Sequence, residues 1–239
     1  MGILDGAPPG TETEGVIKFN LHYDRTPPLP AARLTVLQAW RKILFDLNLI
    51  GPTGSEPVSG FGNVSERLDH RPHGRSGFII TGTQTGHKPA LNPRDYGLVT
   101  GWNLDANWIE AEGPCPPSSE SLTHAVFYQF EPRVHFVFHA HSPEIWSRAG
   151  ALDLAMTSPK AAYGTPDMAR AVHAILTFTA RSTGLIVMGG HQDGVMSYGP
   201  SADAAGLALV QALAKARGSH VSINDLGPCP TGATPYRTA

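Results

Sequence analysis

The hydrophobic positions of this chain fall into short blocks of two kinds, and the blocks alternate along its length. From Ala31 the stretch AARLTVLQAWRKILFDLNLIG places Leu34, Leu37, Trp40, Ile43, Leu44 and Leu47 at helical spacing, which predicts an amphipathic core helix closed by Gly51. SGFIITG at 76–82 reads as a strand, as do segments near 97–104 and 107–112. Leu122, Val126 and Phe130 then recur at helical spacing, and Pro132 ends that helix. A strand FVFHAH follows at once. Thr165-Pro166 reads as the N-cap and first turn of a helix to about Thr179, GLIVMGG and GVMSYG read as strands, and Ser201 caps an Ala-rich helix to Arg217 with Gly218 as its stop. Residues after 220 read as a coil tail, and there are no internal repeats.

Composition narrows the class without naming the chemistry. With 239 residues, 41% of them hydrophobic, the chain can bury a full core as one domain over 1–239, with an N-terminal extension at about 1–30 and the tail at about 221–239. The formal net charge is −2 and the Lys and Arg residues are scattered, which argues against a nucleic-acid surface or a polybasic membrane contact. No apolar stretch reaches the length of a transmembrane helix, and MGILDGAPPG fits neither a signal peptide nor a myristoylation site, so a cytoplasmic location is expected. Cys115 and Cys229 each sit in Gly-Pro-Cys-Pro, a loop setting, and read as reduced thiols.

The chemistry lies in three linked segments, PSSESLTH at 117–124, FVFHAHSP at 136–143 and a downstream GGHQDG. Strand side chains alternate faces, so His139 and His141 point the same way about 7 Å apart, which makes a chelating pair. Neutral imidazoles with open coordination positions describe a catalytic divalent metal site, and His191, in a tight loop after an apolar run, fits as the third ligand. Glu120 falls in the first turn of the helix that Ser118 or Ser119 would cap, where the positive helix end favours a carboxylate. Gly60, Gly62 and Asn63 form a turn of the kind whose backbone N–H groups bind oxyanions. His124 follows Glu120 by one helical turn, on the same face.

At these residues the chain resembles the class II aldolase/adducin family, from about Gly60 to Gly199. GFGNVSERL is similar to the family's glycine-asparagine phosphate loop, and FIITGTQTG, PSSE, HxH and a late His follow in the family's order. The resemblance implies an α/β fold, three-layer α/β/α around a central, largely antiparallel sheet. It implies a metal, zinc first and manganese or another as alternatives, on His139, His141 and His191, with Glu120 as acid/base. It also implies an oxyanion cradle from Asn63, Thr85, Gly86, Ser118 and Ser119, a small-molecule substrate and a homotetramer. The segment that carries a tyrosine proton donor in the aldolases is shortened here, which leaves the acid unassigned with Tyr163 a candidate, and Thr83 is an alternative to Thr85.

Two oxygens of a substrate drawn to such an ion would favour an enediolate, with Glu120 moving the proton that carbon-carbon cleavage or β-elimination needs. The expected activity is a metal-dependent lyase of the aldol type on a sugar phosphate or related hydroxy-carbonyl compound. A decarboxylase, dehydratase or epimerase on the same site and a non-catalytic interaction module like the head of adducin are the alternatives.

Overall fold

The computed structural model describes residues 15–54, 60–68 and 77–218. The expected tail, Cys229, His70 and His73 lie outside them. Strand β1 (Asn20–Arg25) leads through a short 3-10 turn at Ala31–Leu34 to α1 (Thr35–Asp46), β2 (Gly51–Pro52), β3 (Gly60–Phe61), β4 (Asn63–Leu68) and β5 (Gly77–Thr81). Then come β6 (Tyr96–Asn103), β7 (Trp108–Gly113), α2 (Ser121–Phe130), β8 (Phe136–His141) and α3 (Pro143–Ser147). The chain continues through β9 (Ala155–Met156), α4 (Pro166–Thr179), β10 (Gly184–Val187), β11 (Gly194–Gly199) and α5 (Ala202–Gly218). Among the described residues, no helix is long and apolar enough to cross a membrane.

Among the described residues, nine strands form one sheet in the order β1-β7-β6-β5-β4-β8-β11-β10-β9, while β2 and β3 pair separately. Its interior pairings run antiparallel, but β1 on β7 and β9 on β10 are parallel. The sheet is therefore mixed, which corrects the largely antiparallel sheet expected. The physical reason lies at the edges: β1 and β9 enter from outside the hairpin series by long connections, and a crossover can deliver a parallel strand where a tight hairpin cannot. Neither edge strand carries a strong hydrophobic alternation, and β1, NLHYDR, is largely solvent-facing. Residues 20–25, counted above in the N-terminal extension, thus belong to the sheet.

Alternation along the central strands divides the core. Phe78, Ile80, Val99, Val137, Ile186 and Met196 pack with Leu122, Val126, Met168 and Val172 of α2 and α4. Their neighbours Ile79, Leu98, Phe138, Ala140, Val187 and Val195 pack with Leu37, Leu44, Ile145 and Leu209 of α1, α3 and α5. A period of two places each set on one side of the sheet. His139 and His141 share the parity of Val137, so they stand on the α2 and α4 side, at the C-terminal end of β8.

The first helix stops earlier than expected. Leu47 N–H donates to Ile43 O, Asn48 reverses the chain at φ +57°, and Leu49 N–H returns to Leu44 O. Gly51 is consequently in β2. Asn tolerates the left-handed region well enough to end a helix in place of glycine.

Helix α1 also holds the loop after β5. Arg41, 2% exposed, donates from Nη2 to the carbonyls of Thr85 (3.2 Å) and Gly86 (2.9 Å). Replacing it with Met keeps most of the stem packing and leaves two buried carbonyls without that donor, which costs about 1–3 kcal/mol. Arg41→Met is expected to lower the melting temperature by about 2–10 °C, the response of a chain this size to such a loss. A scanning-calorimetry melt unchanged within 1 °C, roughly the noise of the method, would show that Arg41 does not anchor the loop.

Candidate metal centre

Three imidazoles converge from two parts of the chain. His139 and His141 come from β8, and His191 from the turn between β10 and β11. One nitrogen of each lies within 4.8 Å of the others, and His141 Nε2 stands 3.0 Å from His191 Nε2. Two imidazole nitrogens on one tetrahedral zinc, each bonded at about 2.0–2.1 Å, stand about 3.4 Å apart, so this spacing suits a single divalent ion.

The tautomer of His139 is fixed by its neighbour. Its Nδ1 lies 3.2 Å from Val195 O, and a carbonyl only accepts, so Nδ1 carries the proton and Nε2 carries the lone pair. That Nε2 is buried and has no hydrogen-bond partner among the described residues. A buried lone pair with no donor is costly unless a ligand takes it. Phe61 stacks on His141 with ring centres 4.8 Å apart, which limits the rotation of that ring.

Burial also keeps these rings neutral. It pushes His139 down to about 4, against a small opposing pull from its bond to Val195 O. It holds His141 and His191 well below the ordinary histidine value, with the other imidazoles, and Lys18 for His191, adding to the effect. Neutral imidazole is the form that binds a metal.

The His191 turn is locked by close approach of two backbones. A side chain on Gly190 would stand 2.0 Å from Ala161 O, and one on Gly189 would stand 2.2 Å from Thr157 O, so both positions require glycine. Gly189 N–H donates to Thr157 Oγ1, His191 N–H to Met188 O and Gly194 N–H to His191 O. Because 157–161 interlocks with this turn, Tyr163 arrives beside it. Its ring, 2% exposed, lies 4.6 Å from that of His191.

Glu120 occupies the N-cap of α2, one position before the first turn where it was expected, and its side chain does not cap the helix. Ser118 Oγ accepts from Glu120 N–H at 3.2 Å, so Ser118 is the residue that braces this end. The carboxyl of Glu120, 1% exposed, takes a bond from Thr123 Oγ1 at Oε2. His124 is fully buried, its Nδ1 2.6 Å from Ser65 Oγ, which also meets Tyr128 OH. Burial, then the charge of His139, lowers the pKa of His124. The Ser65 and Tyr128 ends of this chain of bonds had no signal in the sequence, because only the β4 register sets Ser65 against α2.

Of the expected cradle residues, Asn63 is the one paired with an imidazole-bearing position, and the others are tied to one another around the loop after β5. Asn63 pairs directly with His139 across β4 and β8, and its Oδ1 is buried without a partner among the described residues. Gly82 bridges to Pro117, and Ser118 N–H donates to Thr81 O, which ties the PSSE segment to the loop after β5. Gly86 lies against Gly60 and Phe61 so closely that a Cβ would be 2.4 Å from Phe61 O. Ser118, Ser119 and Thr85 are all buried. Thr85 Oγ1 donates to Gly82 O and Thr83 Oγ1 to Gly15 O, so each hydroxyl already donates to a backbone carbonyl. His135 instead uses its backbone N–H on Gly199 O, at the far end of β8 from the centre.

Comparison with known proteins bears on the same elements. No curated protein matches the sequence. Among solved structures, a sugar-phosphate aldolase from Thermotoga maritima is similar, at 16% identity and a TM-score of 0.60 over 85% of this chain and 100% of that one. An L-fuculose-1-phosphate aldolase from Thermus thermophilus is similar at 20% identity and 0.56, over 83% and 99%. Another from Glaciozyma antarctica is similar at 16% and 0.52, over 83% and 76%. At such identities the likeness is one of fold. The model of the family described as Class II Aldolase and Adducin N-terminal domain matches residues 58–235, most of the chain, and the protein belongs to that family.

Proposed function

We propose that the protein is a metal-dependent lyase that cleaves a carbon-carbon bond of the aldol type in a sugar phosphate or related hydroxy-carbonyl compound. The observation that carries this reading is the convergence of three neutral imidazoles, His139 and His191 buried and His141 half-buried, one of them with an orphaned Nε2 lone pair. His139, His141 and His191 would hold the ion, zinc by preference because imidazole nitrogens at this spacing suit it. A divalent ion there supplies electrophilic stabilisation of the negative charge that develops on an oxygen beside the reacting carbon.

The remaining steps belong to side chains. Glu120 is the group that takes and returns a proton at its carboxylate. Thr123 fixes Oε2, so the carboxylate does not have to be reoriented during transfer. Tyr163, beside His191, is the group that exchanges the proton of the hydroxyl that becomes the carbonyl of the leaving fragment, removed on cleavage and donated to that oxygen in the reverse, condensation direction. Asn63, Ser118, Ser119 and the backbone of Thr85 and Gly86 hold the oxyanion at the other end, with Arg41 keeping that loop in place. Burial of Glu120, Tyr163, Asn63, Ser118 and Ser119 limits the water that would compete for these bonds. The family resemblance carries the expectation of a homotetramer into the same reading.

Elemental analysis of the purified protein is expected to find about one equivalent of zinc or a related divalent metal, the full occupancy of a three-ligand site, lost in a His139→Ala, His141→Ala double variant. A native protein that stays metal-free after reconstitution would overturn the reading.

With a hydroxy-carbonyl phosphate panel and a carbonyl-trapping reagent, Glu120→Gln is expected to lower kcat about 10²- to 10⁴-fold while metal content stays unchanged. Release of carbon dioxide, or product without a trapped aldehyde, would shift the assignment to a decarboxylase, dehydratase or epimerase.

The lowered histidine values set a pH dependence. An unfolded chain binds protons at its histidines below about pH 6.5, whereas folded His139 refuses them until about 4. The unfolded state thus binds more protons in that window, and metal-free protein loses stability as pH falls through it, on the order of 3 kcal/mol from His139 alone. Urea melts between pH 7 and 4.5 on chelator-treated protein are expected to show this slope, and a His139→Asn variant to flatten it. Parallel slopes for the two proteins would refute the assignment.

A further inference from the structure

The segment before β1 runs beside the site. Gly15 O accepts from Thr83 Oγ1 at 2.7 Å in the loop after β5, Ile17 packs against the α2 and α4 core, and Lys18 O accepts from Asn107 Nδ2 at 2.9 Å. Phe19 is buried, and Asn20 N–H donates to Asn107 O. The backbone on either side of Lys18 is therefore fixed, and the residue lies outside the family match at 58–235.

Its side chain turns toward the imidazoles. Gly164, at φ +66°, has no side chain, and a Cβ there would meet Lys18 Cβ and Cδ at 3.7 Å, so the lysine stem passes over this position. Lys18 Nζ comes to rest 3.6 Å from the centre of the Tyr163 ring, which in turn lies 4.6 Å from the His191 ring. The lysine charge reaches His191 and contributes to holding it neutral.

We propose that Lys18 is a substrate-binding residue of this site, its ammonium taking a second carboxylate of a hydroxy- or oxo-acid whose hydroxyl or oxo oxygen and first carboxylate face His139, His141 and His191. The inference rests on the metal reading above and narrows its substrate class. Three neutral imidazoles leave the charge of a bound divalent ion uncompensated. Bound substrate is then favoured when it brings negative charge to this side, where partial burial strengthens the attraction. Lysine offers a compact charge with three donors, suited to one carboxylate oxygen at close range.

The probes are tartronate and glycolate, titrated calorimetrically into the full chain loaded with zinc. Both present a hydroxyl and a carboxylate to a metal, and tartronate alone carries a second carboxylate. Native protein is expected to bind tartronate about tenfold more tightly, and Lys18→Met to lose that preference while glycolate affinity and metal content stay within about twofold, the tenfold step being about 1.4 kcal/mol. Lys18→Arg is expected to recover most of it. Equal weakening of both acids in Lys18→Met, or no change in either, would overturn the proposal, since the lysine would then only shape the site or stand outside it. If Lys18→Met melts as an unfolded chain, Lys18→Gln replaces it, and a native protein that prefers glycolate or shows no preference overturns the proposal by itself. A native chain that takes up no metal overturns the metal reading and this one together, whereas metal uptake with unchanged acid selectivity in the variants removes Lys18 alone.

Discussion

The site depends on the register of β8 between its two antiparallel neighbours. His139 stands opposite Asn63 on β4 and opposite Met196 on β11, and His141 stands opposite Gly194. A slip of one residue would turn both histidines into the α1 and α5 core and bring Phe138 and Ala140 to the α2 side. The buried apolar residues at 137, 138 and 140 make that slip costly, because each side chain has its own core cluster. Stability of the fold and geometry of the three-histidine cluster are thus enforced by the same contacts.

Burial then does the electrostatic work. Taking an imidazolium out of water is unfavourable, so these buried rings shed the proton instead. His139 and His124 are both fully buried, yet differ in how they are satisfied. His124 Nδ1 faces Ser65 Oγ, whereas His139 donates from Nδ1 to a carbonyl and turns Nε2 toward the cluster. In α2, whose positions are nearly all buried, Ser121 Oγ, Thr123 Oγ1 and His124 Nδ1 each have a partner, those partners including Glu120 and the strand bearing Ser65, while His124 Nε2 is buried without one among the described residues.

Much of this was legible in the residues. Thr165-Pro166 predicts the start of α4, where Thr165 Oγ1 accepts from Met168 N–H, and Ser201 caps α5 through Ala204 N–H. Local hydrogen bonds follow local sequence, which is why those ends were readable. The HxH alternation likewise placed His139 and His141 on one face of β8, where the structure has them. The parallel edge strands were not legible, since β1 is polar and β9 has two residues. The helix expected to run to Gly51 ended at Asp46 because the chain could turn at Asn48, a choice that packing of Leu49 and Ile50 decides.

The sequence by itself determined the types of α1, α2, α4, α5, β5 to β8, β10 and β11, the pairing of His139 with His141 on one side of a strand, and the family, because these rest on local periodicity and on ordered short motifs. Tertiary structure alone decided that His191 reaches the same point, since this requires Gly189 and Gly190 to pass within contact distance of the 157–161 backbone. It alone brought Tyr163 beside His191 and Lys18 over Tyr163, residues separated by long stretches of chain. Such contacts arise from how layers pack and which connections cross them, and neither a period of two nor one of 3.6 records that.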